Sequence, residues 1–211
     1  MKTIFLLAGV IAAAQDVTVP FVPCKADPPP ASGPIEVEVM ARNAAQLAYY
    51  KSGATIGVLA PRGWQCLGFK DANGEGLLVS PGPIDPAKKF DGPVVEVRRK
   101  PAKSADVVQV ITRVFPSVLN KAPASPSTRF GSDEVIYSSG ESAEYGTPAG
   151  KEGLGTSFSL KANDSDIRGV AKLHGKTPDL YFLSVRLPDQ ISRVAASILR
   201  QFERDVDDVK P

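Results

Sequence analysis

Histidine is nearly missing: His174 is the only one in 211 residues. That excludes zinc and iron sites built on several imidazoles, and it leaves any serine-histidine-carboxylate mechanism a single base to use. Cysteine is almost as scarce. Cys24 and Cys66 have no C-x-x-C spacing, which would lower a thiol pKa or open a zinc-binding pattern. A charge excess of either sign is also absent. The formal net charge is +2, and it falls to +1 without residues 1–14, whose only charged side chain is Lys2. A near-neutral chain lacks the basic field that displaces counterions from nucleic acid, so a nucleic-acid partner is not expected. No apolar run reaches the roughly 20 residues needed to cross a bilayer as a helix.

Proline and glycine are plentiful, at 19 and 18 residues, and they imply short elements joined by many turns. The N-terminus has a distinct grammar. Lys2 is followed by the uncharged run Ile4–Ala14, and Ala12-Ala13-Ala14 precedes Gln15-Asp16. This reads as a cleaved secretory signal peptide over residues 1–14. A membrane anchor is the alternative, but eleven residues span only about 16 Å as a helix. Export makes a Cys24–Cys66 disulfide the expected state of the two thiols, with a reactive Cys66 beside Trp64 as the competing reading. Residues 15–34, with Pro28-Pro29-Pro30, then form an extended arm stapled to the strand that carries Cys66.

Residues 35–211 read as one α+β domain with a possible subdivision near 121–130, where Ala122-Pro123-Ala124-Ser125-Pro126 resembles a linker. Period-two alternation marks Ile35–Val39 as a strand. Ala41–Tyr50, rich in alanine, reads as a short helix. Asn73-Gly74 between two apolar runs is the strongest local hairpin signal in the chain. Strands are expected at 55–59, 94–98 and 134–137, and a second hairpin joins Ile167–Leu173 to Leu180–Leu187. Ser104 caps a helix from Ala105 to about Val118. The clearest helix is C-terminal and amphipathic, with Ile191, Val194, Ala195, Ile198, Leu199, Phe202 and Val206 on one stripe. The expected fold is therefore mostly antiparallel sheet with two or three packed helices.

The motifs that suggest chemistry are each weaker than their structural reading. Gly175-Lys176-Thr177 lacks the upstream glycine of a phosphate-binding loop and reads as a hairpin turn. Asp71-Ala72-Asn73-Gly74-Glu75-Gly76 begins like a calcium loop, but Gly82 stands where a bidentate carboxylate belongs. Ser132, Ser138, Ser139 and Ser142 are candidate nucleophiles for His174, and none sits in a Gly-x-Ser-x-Gly elbow. Glu141 and Glu144 are a carboxylate pair in a Ser/Gly-rich stretch, which reads better as a solvated loop. No motif implies a cofactor or a metal. Tyr49, Tyr50, Trp64 and Tyr145 remain as candidate contacts for a ligand or partner. The alternative for Trp64 is ordinary packing on the disulfide. The glycine-rich run 144–156 permits close approach either of a neighbouring strand or of a bound molecule.

Three stretches carry a resemblance. They are Tyr49-Tyr50-Lys51; Val58–Cys66 with Gly68; and Gly153-Leu154-Gly155-Thr156 followed by Ile167-Arg168-Gly169. Together they resemble small exported bacterial proteins with no assigned activity, over most of the mature chain. The resemblance implies a periplasmic or secreted location and transfers no catalytic residue. The resulting expectation is a non-enzymatic binding or inhibitory module whose partner is a protein or glycan of the cell envelope. The alternative is an envelope hydrolase using His174 and a serine from 132–142.

Overall fold

The computed structural model describes residues 15–24, 35–53, 56–71, 74–102, 104–115, 132–176 and 178–209. The expected signal peptide and the 121–130 linker lie outside them. The strands, in chain order, are β1 (Gln15–Val19), β2 (Phe21–Pro23), β3 (Ile35–Val39), β4 (Leu47–Lys51), β5 (Val58–Pro61) and β6 (Gln65–Asp71). There follow β7 (Gly74–Ser80), β8 (Val94–Lys100), β9 (Glu134–Ser138), β10 (Ser142–Thr147), β11 (Ile167–His174) and β12 (Asp179–Arg186). The helices are α1 (Ala41–Ala44), α2 (Ala105–Val114) and α3 (Ala195–Asp207).

Seven strands form the central antiparallel sheet, in the order β6-β7-β8-β12-β11-β10-β9. Both predicted hairpins are there. β6 pairs antiparallel with β7, bringing Asp71 opposite Gly74, and β11 pairs with β12 in register His174↔Asp179. Leu180–Val185 is a continuous apolar run apart from Ser184 because both faces of the sheet are covered. Tyr181, Leu183 and Val185 turn to the side of α3, while Leu180 and Phe182 turn to the side of α2.

On the first side, Ile198, Leu199, Phe202 and Val206 of α3 pack with Leu77, Val79, Val95, Val97 and Val170. The same core takes in two small sheets, β1-β3 and β2-β4-β5. Pro61 is accommodated because β5 is an edge strand, where its missing N–H breaks no ladder. On the second side, Val107, Val110, Ile111 and Val114 of α2 cover Ala143, Tyr145, Ala171 and Phe182. Beyond α2 that face is closed by loops joined at the bridge Phe90↔Leu160, around Leu78, Val94 and Ile167.

The α+β class and the dominance of antiparallel sheet follow the sequence reading. The helical complement differs from it. Among the described residues the C-terminal helix is the one long helical run, and it starts as 3-10 turns over Asp189–Val194 before becoming α3. The segment 41–50 gives a single turn and then β4, whose parallel pairing with β2 and antiparallel pairing with β5 override the helical propensity of Ala44, Ala45 and Leu47. Ser104 does cap α2, accepting a hydrogen bond from the Val107 N–H.

The Cys24–Cys66 disulfide is formed, with Cα atoms 5.5 Å apart. It ties the chain just past β2 to β6, and neither cysteine is free. The described part of the arm is strand on both sides of Pro20. β1 lies antiparallel to β3, and β2 lies beside β4.

Candidate functional site

A cleft of about 480 Å³ opens at the end of the sheet where β10 leaves and β11 begins. Its floor is Val185, Leu187 and Ala195. Its walls are Ala149, Asp164, Ser165, Asp166 and Arg168 on one side, and Asp189, Ser192 and Arg193 on the other. The first wall is held by local bonds. The Ala149 N–H donates to Asp166 at 2.8 Å, Gly150 N–H donates to the Asn163 carbonyl at 2.7 Å, and Ser165 N–H donates to the Asn163 side chain at 3.0 Å. Arg168 is paired with Glu144. The second wall is the first 3-10 turn after β12, where Ser192 donates to the Asp189 carbonyl. The cleft therefore presents acceptors, donors and an apolar floor in a volume ordinary for a small ligand.

The four aromatic candidates fall elsewhere. Tyr49 is buried on β4, and its hydroxyl donates to Asp205 of α3 at 2.8 Å. Tyr50 is fully buried, donating to the Pro61 carbonyl at 2.8 Å and accepting from the Trp64 N–H at 3.1 Å. Tyr145 is fully buried, its ring stacked on Phe182 and its hydroxyl donating to the Leu183 carbonyl. That reach needs Gly169, because a Cβ there would collide with the Tyr145 ring and the Leu183 carbonyl. Burial raises the pKa of each of the three phenols. Trp64 differs. It is half-buried against the α3-side core and immediately precedes β6. The register runs from Gln65 through Ser80 and Val95 to the end of β12, so Trp64 lies at the same end of the sheet as Leu187 of the cleft.

His174 ends β11, six residues along the strand from Arg168 and therefore about 20 Å from the cleft. Its Nε2 lies 2.8 Å from the Val209 carbonyl. A carbonyl only accepts, so Nε2 carries the proton. The Ser142 hydroxyl donates to Glu203 at 2.7 Å, and the Ser139 hydroxyl to the Ser142 carbonyl. Ser132 is exposed, and Ser138 enters through its backbone pairing with Ala143. Glu144 is taken up by Arg168, and Glu141 is exposed with its carbonyl accepting from Leu173 N–H.

The glycine-rich run folds onto a residue the sequence did not single out. Asp133 accepts from the Thr147 hydroxyl and from the Leu154 N–H, the latter at 2.8 Å. A Cβ at Gly153 would strike that carboxylate. The run's first half is β10, and its tip supplies Ala149 to the cleft. Gly175 has φ of +100°, as the turn reading requires. Among the described residues no group of three His, Cys, Asp or Glu side chains is placed to hold a metal, and no helix is long and apolar enough to cross a membrane. No family model, curated protein or solved structure matches the chain.

Proposed function

We propose that this chain is an exported, non-enzymatic binding or inhibitory module that engages a protein or glycan of the cell envelope through the cleft and the Trp64 edge. One observation carries the reading: the polar side chains lining the cleft, Arg193 among them, are solvent-exposed, whereas the Ser142 hydroxyl and the His174 Nε2 proton are spent on internal acceptors. Of the four candidate contacts, Trp64 keeps surface, and the buried Tyr50 hydroxyl accepts from its N–H.

The test is capture from bacterial envelope extract with the oxidised chain, compared with Arg193→Glu and Trp64→Ala. A specific glycan or protein retained by the parent and weakened at least tenfold by either variant, with unchanged Tm, is the expected outcome. Equal retention by all three chains defeats the proposal. Labelling of Ser139 or Ser142 by a fluorophosphonate would instead favour the hydrolase with His174 as base. Export itself is checked by N-terminal sequencing of the mature protein, expected to begin near Gln15.

A further inference from the structure

Among the described residues Arg186 is the largest fully buried side chain, 2% exposed, at the end of β12 on the loop-covered face of the sheet. Its surroundings there include the apolar cluster of Val94, Leu160 and Phe90. One guanidinium nitrogen, Nη2, donates to the Lys161 carbonyl; Nε and Nη1 have no partner. The guanidinium cannot shed its proton, so burial leaves a fixed charge. Of the buried carboxylates on this face, Asp133 accepts from Thr147 and Leu154, and Glu96 gives Oε1 to Arg98 at 2.7 Å and to the Ser159 N–H, its Oε2 being without a partner. Asp91 acts on Arg186 only at longer range, and its side chain and carbonyl both accept from Asn163. Uncompensated buried charge is among the costliest arrangements in a protein.

The donor geometry says more than the charge. Nη2 has two hydrogens, and Lys161 uses one. The other is coplanar with a hydrogen of either Nε or Nη1, so one complete two-hydrogen fork stays open. Such a fork matches the two oxygens of a carboxylate, one per hydrogen, whereas a spherical ion must share a single centre between both hydrogens at bent angles. Burial restricts the guest to a small ion. We propose that Arg186 is the receptor of an internal oxyanion site, taking a small free carboxylate such as formate or acetate beneath the Asp91 and Lys161 loops. The site is independent of the cleft, which lies on the opposite face of β12.

The test is thermal unfolding of the full oxidised chain as sodium formate replaces sodium chloride at constant ionic strength. An anion held only by the folded state raises Tm by about 3–6 °C at tenfold its Kd, and above Kd the rise continues with the logarithm of the formate concentration. Arg186→Lys, which keeps the charge but not the fork, should lose the formate-over-chloride difference, and Asp91→Asn should keep it. The Arg186 Nε–H resonance of the parent chain should move with formate and not with chloride, a reading that holds even if the lysine variant does not fold. Identical Tm in the two salts with an unmoved resonance overturns the proposal. So does a formate response that appears only in Asp91→Asn, because Asp91 would then be the anion.

Discussion

The two faces of the central sheet are built from the same strands by opposite means. The α3 side is apolar almost throughout, and its polar contacts sit at the margin, where Tyr49 and Gln201 meet Asp205. The other side buries Glu96, Lys100 and Arg186 in the same layer as Phe182 and Leu160. Arg98 lies 4.5 Å over the Phe69 ring, and Lys100 lies 4.9 Å from that of Phe158. Apolar burial is non-directional and scales with area, so the α3 side supplies stability. Ionic burial costs desolvation and returns it only in one geometry, so the second side fixes how the loops sit.

The largest effect should come from the apolar side. Phe202→Ala removes a fully buried ring from the middle of α3 and should cost about 3–5 kcal/mol in chemical denaturation. A loss under about 1 kcal/mol would mean that α3 is not what holds that face. The second contrast concerns Glu96. Glu96→Gln leaves Arg98 without its counter-charge and should cost about 2–4 kcal/mol, whereas Glu96→Leu with Arg98→Leu should recover most of that loss. A double variant as unstable as the single one would show that the ion pair itself is a net source of stability.

The smallest effect is a pH dependence on the apolar side. Desolvation raises Asp205 to about 6, against the bonds from Gln201 and Tyr49, which lower it. A raised carboxyl pKa means that the folded chain holds the proton more tightly than the unfolded one. Its contribution is complete below about pH 4, is lost as pH rises through about 6, and totals about 1–3 kcal/mol. Asp205→Asn should flatten the denaturation midpoint over that window, and an unchanged slope would show that Asp205 titrates normally.

The sequence was most legible where a signal is local. Asn73-Gly74, the Ser104 cap and the cysteine pair each carry their meaning within a few residues or in a single covalent choice. The alanine-rich 41–50 misled because its strand is imposed by β2 and β5, and pairing overrides propensity. In β10, Ala143, Tyr145 and Thr147 do alternate inward, but Gly146 and the glycines after it masked the period. The site was less legible still. Tyr49 looks like a surface anchor until Asp205, 156 residues away, takes its hydroxyl. The cleft draws its walls from three separated segments, and no spacing in the sequence announces such a meeting.

The Tyr49–Asp205 bond belongs to a wider joining of the chain's beginning and end. Arg204 pairs with Asp16 at 3.1 Å, and Ser197 lies 3.5 Å from the Asn43 amide. The first strands thus complete their core against the last helix. During synthesis, Val37, Leu47 and Tyr50 must wait, uncovered, until residues 195–207 have been made. Contacts of such long sequence separation are slow to form, and an early strand without its cover invites association with other chains. A chain truncated before α3 should therefore fail late and aggregate, although nine-tenths of its sequence would already be in place.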